Sequence, residues 1–462
     1  MKKDAFIPAR KKIHFVGIGG TGMSALAQVA RWQGREVSGS DRFFDRGEAA
    51  DLRQCLEGEG IAIFPQDGSG VKNAAEAVSS AAVEAEIPDL RAAETAGVPV
   101  VSRGDYLLRL TRGRESLAVA GTNGKSTTAA LLSWILARND RDPTFVIGAP
   151  LKEKERGWGN ARLGKSEWFC FEADESDGVL ERYLPAHGVI TNISPDHFEI
   201  ERLREIFGRF AGSCRKGVVL NADCPESRLI RSLRVPAVTF SVDAASDFRA
   251  REIDIGRERS FFTLCGVRFL VPLPGLHNVY NSLAAVAAAS LAGLDPARAA
   301  PAVADFPGVK RRMEIVYSSP ALVVIDDYSH NPAKIAAALE TARRFGLPVT
   351  AVYQPHGFAP LRRFRRELAA AFSRGLGAGD RLILLPVYYP GGTVQPGFGS
   401  EELAAVIAGP ARVSVLPGPE ALLADLERSG GSGMVCLIMG ARDPGLSALA
   451  RRISRQIAGE KS

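Results

Sequence analysis

The sequence is poor in cysteine, and its cysteines are not spaced as a metal or redox site. The chain has six of them, at Cys55, Cys170, Cys214, Cys224, Cys265 and Cys436. Since no two of these residues form a CxxC pair, a zinc ribbon, a dithiol redox centre and a disulfide scaffold are all disfavoured. We therefore expect a protein of a reducing compartment, the cytoplasm.

Long apolar runs are also missing. The basic start of the chain leads into only five or six apolar residues before glycines follow, which is shorter than the core of a signal peptide. The alanine-rich stretch from Ser282 to Leu294 is shorter than the roughly 20 residues that cross a bilayer as a helix. We expect neither secretion nor a membrane span.

The charge balance has no strong sign. The chain has 58 Lys and Arg and 52 Asp and Glu, which gives a net charge of +6. Such a mild positive charge is as compatible with an anionic small-molecule ligand as with a nucleic acid. Hydrophobic residues make up 46% and charged residues 24%, values typical of a folded globular protein. A length of 462 residues suggests about three domains.

In three successive stretches of the chain, short apolar runs alternate with helical patterns. This predicts three α/β units built on parallel sheets. Short alternating segments between 248 and 271 predict a small antiparallel sheet inside the second unit. We place the boundaries near 112 and 307. The predicted domains are residues 1–112, 113–307 and 308–462.

The first motif is a GxGxxG turn between a strand and a helix. It consists of Gly17, Gly19, Gly20, Thr21 and Gly22. Small residues let a pyrophosphate approach the backbone at a helix amino terminus, and Asp41, after the next strand, lies where dinucleotide enzymes bind a ribose. A nicotinamide or flavin cofactor, another nucleotide diphosphate, and a turn without a ligand all remain open.

A second glycine-rich turn is more informative. Residues 121–128 read GTNGKSTT and again join a strand to a helix, although Val119 breaks the usual GxxxxGKS spacing. Backbone amides of such a loop cradle phosphate oxygens, Lys125 can neutralise the terminal phosphates, and the Ser126 hydroxyl can bind Mg²⁺. The expected ligand is ATP.

Two polar segments end the following strands. Four carboxylates fall within residues 172–177, and Glu172 is a candidate Mg²⁺ ligand because ligands bind at the carboxyl ends of parallel strands. His197 follows the next strand and is a candidate for a second Mg²⁺ or for the transferred phosphate. The alternatives are a solvated acidic turn and an ordinary surface histidine.

Taken together, the segments GTNGKSTT, EADESD, TNISPDH, LPGLHNVYNSLAAVAAA, FPGVKRRME, DDYSHNP and VYQPH resemble the Mur ligases over essentially the whole chain. These ATP-dependent enzymes form amide bonds in peptidoglycan precursor synthesis. The resemblance implies three domains: a Rossmann-like first domain, a central ATPase domain with a parallel and a small antiparallel sheet, and a Rossmann-like third domain. It also implies that the first glycine motif holds the UDP of a sugar substrate, so NAD is not expected.

The resemblance assigns roles residue by residue. The UDP-sugar would be bound by Gly17, Gly19, Gly20, Thr21, Gly22, Asp41 and Ser80. ATP would be bound by Gly121, Thr122, Asn123, Gly124, Lys125, Ser126, Thr127, Asn281, Arg312 and Asp327. The Mg²⁺ ligands would be Ser126, Glu172 and His197, and the catalytic residues Lys125, His197 and His330.

Some of these assignments have plain structural alternatives. Arg311 and Arg312 could be a solvated pair, and Asn281 could cap or pack rather than read adenine. Asp326 could bind the ribose in place of Asp327.

Two family histidines are replaced here, by Asn123 and Asn331, which leaves ATP use in place but the substrate less certain. Between His197 and Cys214 there is no counterpart of the carbamylated lysine of the later Mur ligases, which favours the branch that adds L-alanine to UDP-N-acetylmuramate or its tripeptide-recycling relatives. We expect a monomer or homodimer without a nucleic-acid or membrane partner. A nicotinamide oxidoreductase and a nucleotide-dependent scaffold are the competing classes.

Overall fold

A computed structural model describes residues 11–80, 83–84, 86–175, 178–195, 198–231, 233–389, 397–431 and 433–458. The chain forms two compact units. The first comprises the described residues through Glu252 together with 262–270 and 280–309, and the second comprises 253–261, 271–279 and the described residues from Lys310 onward. Within the described ranges, none of the helices has both the length and the apolar character needed to cross a bilayer.

The amino-terminal part of the first unit is a five-stranded parallel sheet in the order β3-β2-β1-β4-β5. Its elements are β1 (Ile13–Val16), α1 (Thr21–Trp32), β2 (Val37–Ser40), α2 (Arg42–Asp45), α3 (Ala50–Gly58), β3 (Ala62–Phe64), β4 (Glu76–Ser79), α4 (Pro88–Thr95), β5 (Val100–Ser102) and α5 (Arg103–Thr111). This order brings the turn after β1 to the centre of the carboxyl edge, where α/β sheets bind ligands.

The second sheet has eight strands in the order β13-β12-β11-β10-β6-β9-β7-β8, and only β8 pairs antiparallel. Its elements are β6 (Glu115–Ala120), α6 (Lys125–Arg138), β7 (Thr144–Val146), β8 (Ala161–Arg162), β9 (Trp168–Glu172), β10 (His187–Ile190), α7 (Ile200–Ser213), β11 (Gly217–Asn221), β12 (Ala237–Ser241) and β13 (Phe248–Arg249). The central strand β6 carries the second glycine motif at its carboxyl end.

The prediction that the antiparallel sheet begins at Phe248 is wrong. The sequence pattern of residues 248–255 predicts one antiparallel strand, but Phe248 and Arg249 pair parallel with β12. Buried Ala250, whose amide donates to the Ser241 carbonyl at 3.0 Å, separates them from the next strand. The remaining strands form a three-stranded sheet, β14 (Arg251–Ile255), β15 (Ser260–Leu264) and β16 (Val267–Val271). Their short connections make it the predicted antiparallel sheet.

Two helices and a third large sheet complete the chain. The helices are α8 (Leu276–Leu291) and α9 (Pro296–Ala304). The sheet has the order β17-β18-β22-β19-β20-β21, parallel except for β17. Its elements are β17 (Glu314–Ser318), β18 (Leu322–Asp327), α10 (Pro332–Arg343), β19 (Val349–Gln354), α11 (Phe358–Arg363), α12 (Arg365–Gly375), β20 (Arg381–Leu384), α13 (Ser400–Val406), β21 (Arg412–Val415), α14 (Pro419–Arg428), β22 (Met434–Gly440) and α15 (Gly445–Ala458). The three-sheet α/β architecture predicted from the sequence is confirmed.

The central strands of the third sheet are buried along their whole length. All residues of β18 and β22 are buried, because one apolar cluster covers each face of the sheet. Continuous apolar runs are what a parallel strand covered on both faces requires. Helix α7, in contrast, buries only one stripe, which consists of Leu203, Ile206, Phe207, Phe210 and Ala211.

His187 opens β10 at the amino-terminal end of the strand and gives the first unit a pH dependence. The residue is 5% exposed, and its Nδ1 atom is buried without a hydrogen-bond partner in the described part of the chain. Burial lowers the pKa of His187 below the usual 6.5, Glu115 opposes this, and Lys216 and Arg215 add to it. Below about pH 6.5 the unfolded chain therefore takes up a proton that the folded chain does not.

The unfolding free energy is thus expected to fall as the pH falls below about 6.5, and His187→Gln should remove up to about 1 kcal/mol of that loss. The measurement is the melting temperature of both proteins at about pH 7.5 and about pH 5.5, where the wild type should lose more between the two values. Equal losses in the two proteins would contradict the role given to His187.

Candidate active site

The second glycine motif forms a tight loop between β6 and α6. Gly121 and Gly124 have φ angles of +124° and +84°, which favour glycine. A Cβ atom on Gly121 would lie 2.2 Å from Thr191 Oγ1, and one on Gly124 would lie 2.3 Å from Asn281 Oδ1. Gly124 is also the N-cap of α6 and provides no side-chain cap, and the amino terminus of a helix is a position that favours an anion.

The segment after β10 braces this loop. The Thr191 hydroxyl donates to the Asn123 carbonyl at 2.6 Å, and the Asn192 amide donates to the same carbonyl at 3.0 Å. In return, the Asn123 backbone amide donates to Asn192 Oδ1 at 3.1 Å, and its side-chain amide donates to Ser194 Oγ at 3.2 Å. Asn123 therefore helps to fix the shape of the loop.

Lys125 lies among three carboxylates. Its Nζ atom is 2.8 Å from Glu175 Oε2 and 4.0 Å from Asp174 Oδ1. Burial lowers the pKa of Lys125, but the combined attraction of Asp174, Glu175 and Glu172 is greater and raises it above its usual value. The ammonium group is therefore charged near neutral pH, and three acidic side chains lie around this one cation.

The pKa of Glu175 is also changed by its neighbours in this cluster. Burial raises the pKa of the Glu175 carboxyl group, Lys125 opposes the increase, and Asp174 adds to it. The sequence pattern predicts the acidic segment but not that Glu175, rather than Glu172, makes the close contact with the lysine.

Ser126 and Glu172 fit a magnesium site. The Ser126 hydroxyl donates to Glu172 Oε2 at 2.8 Å, and the backbone amide of Gly148 donates to the same oxygen at 2.9 Å. A Cβ atom on Gly148 would lie 2.1 Å from Glu172 Oε2, so a larger residue there would displace the carboxylate. The described residues contain no group of three His, Cys, Asp or Glu side chains that could hold a metal ion.

Asn281 reaches the loop from α8. Its Oδ1 atom accepts a hydrogen bond from the Thr128 hydroxyl at 3.3 Å, and the residue is buried. The first unit thus brings Lys125, Ser126, Glu172 and Asn281 together at one edge of the sheet. His197, the third predicted metal ligand, lies outside the described residues, as do Ser176 and Asp177 of the acidic segment.

The first glycine motif lies at the centre of the amino-terminal sheet. Gly17 has a φ angle of +80°, and Gly20 is the N-cap of α1 without a side-chain cap. Both oxygens of Asp41 accept backbone hydrogen bonds, from the Gly19 amide at 2.8 Å and from the Phe43 amide at 2.9 Å. Burial raises the pKa of Asp41, although these two amides oppose the increase. Asp41 therefore holds the glycine turn in shape.

Two further residues lie at this turn. Ser80 follows β4, and its backbone amide donates to the Val16 carbonyl at 3.4 Å, which places it beside the end of β1. Arg103 approaches Gly22 so closely that a Cβ atom there would lie 2.3 Å from the guanidinium. Sequence reasoning missed Arg103, because no local pattern links the start of α5 to a glycine some 80 positions earlier.

In the second unit, Asp327 ends β18 and secures the turn that precedes β17. Its Oδ2 atom accepts a hydrogen bond from the Met313 amide at 2.6 Å, and its Oδ1 atom accepts from the Ser329 amide at 2.8 Å and from the Ser329 hydroxyl. The Arg312 guanidinium lies 4.9 Å from the centre of the Tyr328 ring. The predicted residues of this unit are therefore grouped around one strand end.

Arg311 is not part of a solvated pair, so that alternative is wrong for this residue. Its Nε atom donates to Asp326 Oδ1 at 3.3 Å, and its two Nη atoms donate to the carbonyls of Asp443 and Gly440 at 3.1 and 2.8 Å. Asp326 also accepts a hydrogen bond from the Ser447 hydroxyl at 2.6 Å. Burial raises the pKa of Asp326, and Arg311 opposes the increase.

His330 lies next to these groups. Its Nδ1 atom is 2.9 Å from the Tyr328 carbonyl, and its ring centre is 5.1 Å from that of His356. Burial lowers the pKa of His330 well below its usual value, and Lys334 and His356 add to the effect. The imidazole is therefore neutral near pH 7, with its proton on Nδ1 because a carbonyl can only accept.

Asn331 is the N-cap of α10. Its Oδ1 atom accepts a hydrogen bond from the Lys334 amide at 2.9 Å. Pro332 follows at the first helical position, an arrangement that favours the start of a helix. Asn331 thus fixes the end of the loop that carries His330.

Three family profiles match the chain in sequence. They describe the Mur ligase family catalytic domain (residues 12–115), the Mur ligase middle domain (119–289) and the Mur ligase glutamate ligase domain (311–442).

Individual proteins match over nearly the whole chain. The UDP-N-acetylmuramate–L-alanine ligase of Syntrophotalea carbinolica is 36% identical over 446 residues, which are 93% of this chain and 95% of the relative. The crystal structure of the UDP-N-acetylmuramate-alanine ligase of Thermotoga maritima is 26% identical, with a TM-score of 0.79, and the match covers 97% of this chain and 100% of that one. A murein peptide ligase from Psychrobacter arcticus shares the fold at 23% identity, with a TM-score of 0.71 and coverage of 98% and 100%.

Proposed function

Since this chain belongs to the Mur ligase family, we propose that it joins L-alanine to the lactyl carboxylate of UDP-N-acetylmuramate while converting ATP to ADP and phosphate. The observation that carries the nucleotide chemistry is the buried Lys125 among carboxylates, next to the Ser126 and Glu172 pair. The substrate assignment is supported by the relative that is 36% identical over nearly its full length.

The reaction begins with a carboxylate, which is a poor acyl donor. A carboxylate oxygen attacks the γ-phosphorus of ATP, the bond to ADP breaks, and an acyl phosphate forms. The α-amino group of L-alanine then attacks the acyl carbon and phosphate leaves. Both partners of the first step are anionic, so its main obstacle is electrostatic, and positive charge at the phosphates lowers the barrier.

Lys125 and the loop amides supply part of that charge. In our proposal residues 121–127 surround the β- and γ-phosphates, and the ammonium group leaves Glu175 for phosphate oxygens. Ser126, Glu172 and His197 would hold magnesium, which when bound neutralises phosphate charge. Asn281 would read the adenine base.

The first glycine motif takes the UDP part of the sugar substrate. The uncapped start of α1 offers backbone amides to the diphosphate, and the turn from Gly17 to Gly22 has the close backbone approach that a phosphate needs. Asp41 keeps the turn in this shape, and Ser80 lies beside it. That this motif binds a uridine nucleotide rather than a nicotinamide nucleotide is inferred from the family to which the chain belongs.

For the second unit, the family resemblance assigns Arg312 and Asp327 to ATP and His330 to the acceptor side. The neutral imidazole of His330 has a free lone pair on Nε2 when Nδ1 donates to the Tyr328 carbonyl. That lone pair would accept a hydrogen bond from the incoming amine and orient it. Because the pKa of His330 lies well below 6.5, the imidazole is too weak a base to hold the ammonium proton, so the amino acid would react in its free-amine form.

Phosphate release tests the proposed function. The protein is incubated with ATP, magnesium and UDP-N-acetylmuramate, and L-alanine, glycine, L-serine or the tripeptide is added singly. We expect release that depends on both the sugar nucleotide and L-alanine, with a matching product mass. Release with the tripeptide alone would point to the recycling reaction, and release with no acceptor would contradict the ligase assignment.

A further inference from the structure

A fully buried pair of side-chain amides connects α1 to the loop before β8. Gln28 and Asn160 are both 0% exposed. The Gln28 amide nitrogen donates to Asn160 Oδ1 at 2.9 Å and to the Ser24 carbonyl at 2.9 Å, and Gln28 Oε1 accepts from the Trp158 amide at 2.7 Å. Every polar atom of the pair is satisfied, because Asn160 Nδ2 also has partners.

Those partners lie at the start of α1. Asn160 Nδ2 donates to the Thr21 carbonyl at 2.7 Å and to the Ser24 hydroxyl at 3.0 Å. Thr21 is the first residue of the helix and belongs to the first glycine motif. Asn160 thus holds the first turn of the helix to which the proposed function assigns the diphosphate of UDP.

The backbone of Asn160 leads in the other direction, to the ATP loop. Its carbonyl accepts a hydrogen bond from the Ile147 amide at 2.9 Å. The next amide in the chain, that of Gly148, donates to Glu172 Oε2, the oxygen that also accepts from the Ser126 hydroxyl. A continuous series of bonded groups therefore runs from Thr21 to Ser126.

The loop that carries Asn160 is fitted closely to α1. Gly157 has a φ angle of +63°, and a Cβ atom there would lie 2.2 Å from Gln28 Oε1. The Arg156 guanidinium lies 5.1 Å from the centre of the Trp32 ring, and both side chains donate to Glu59 Oε2, at 2.8 and 2.7 Å. These contacts keep the amide pair in one arrangement.

We propose that Asn160 is a positioning residue that fixes the sugar-nucleotide turn relative to the ATP loop and couples the binding of the two nucleotides. The inference rests on the proposed function, because it requires that both sites be used in one reaction. The transferred phosphate must lie in line with the attacking carboxylate, and a misplacement of about 1 Å can cost about 100-fold in rate. A series of rigid, buried hydrogen bonds is suited to hold such an alignment.

Asn160→Asp tests this with little change in side-chain size, since it replaces the donor to the Thr21 carbonyl by an oxygen. We expect kcat to fall by about 100-fold, while the separate Kd values for the ATP analogue AMP-PNP and for UDP-N-acetylmuramate stay within about threefold. Asn160→Ser removes the same bonds without burying a charge and should behave alike. The matched control is Asn139→Asp, because Asn139 donates to the Ile135 carbonyl at the other end of α6 and should leave kcat unchanged.

A second readout separates positioning from a loss of stability. Calorimetry gives the Kd of AMP-PNP with and without saturating UDP-N-acetylmuramate, and their ratio measures the coupling between the sites. We expect a ratio different from one in the wild type and close to one in both Asn160 variants. Ile206→Val, which trims the core away from either motif, should keep the wild-type ratio despite a lower melting temperature.

The outcomes distinguish the two hypotheses. A wild type that turns over, combined with Asn160 variants that keep its kcat and its coupling ratio, overturns the role of Asn160 alone. A wild-type ratio of one also overturns it. A wild type that binds neither nucleotide overturns the proposed function, and the inference with it.

Discussion

Replacing Lys125 by methionine is expected to lower kcat at least about 1000-fold, because the only ammonium group placed in the phosphate loop is lost while the apolar stem is kept. The measurement is ADP formation at saturating substrates. The fold should persist, since the parallel sheet around the loop has its own apolar core. Residual activity above about one per cent would mean that the loop is wrongly assigned.

Two variants make the result specific. Lys216→Met removes a lysine whose Nζ atom is also 2.8 Å from a carboxylate, that of Glu115, but at the opposite end of the sheet and half exposed. It should leave kcat unchanged. Because Lys125→Met leaves Glu175 buried without its cation, the double variant with Glu175→Gln should recover lost stability and remain inactive.

The second large effect is expected for Glu172→Gln. Gln keeps the size of the side chain and one oxygen but removes the negative charge that favours magnesium. We expect kcat to fall about 100-fold and the magnesium concentration for half-maximal activity to rise at least about tenfold. The melting temperature should change little, because the oxygen of Gln can still accept the hydrogen bonds from the Ser126 hydroxyl and the Gly148 amide.

Glu167→Gln is the control for this variant. Glu167 precedes the same strand, β9, at its other end and is exposed. It should change neither kcat nor the response to magnesium. An unchanged magnesium response in Glu172→Gln would remove Glu172 from the metal site.

Much of the site could be predicted from the sequence because its residues lie in short local patterns. A strand, a glycine turn and a helix follow one another around residues 17–22 and again around 121–128, so the position of each loop depends only on local order. The carboxyl edge of a parallel sheet then places Glu172 near Ser126 without further information. To predict each of these contacts, it is enough to know that parallel strands end at the same edge of a sheet.

The contacts that the sequence did not predict join distant residues. Asn160 reaches Thr21 across 139 positions, and nothing in the residues around either one marks the pair. Likewise, the choice of Glu175 as the partner of Lys125 depends on how the acidic segment bends after β9. Long-range pairs of this kind are fixed by tertiary packing and have no local signal.

Short strands at or beside the edges of the sheets were the weakest part of the fold prediction. β3 and β17 are edge strands, and β7 and β12 each lie next to an edge strand. All four have three to five residues, and β17 is only partly buried. A half-buried strand at the side of a sheet needs no continuous apolar run, so its pattern resembles that of a loop. The parallel pairing of β13 was missed for the same reason, because two residues carry no period.

The path of one oxygen atom tests the central claim most directly. UDP-N-acetylmuramate labelled with ¹⁸O at both oxygens of the lactyl carboxylate is converted with ATP and L-alanine, and the released phosphate is analysed by mass spectrometry. Transfer of phosphorus to the carboxylate predicts one ¹⁸O atom in each phosphate, one in the amide product, and ADP as the nucleotide. Unlabelled phosphate, or AMP in place of ADP, would contradict it.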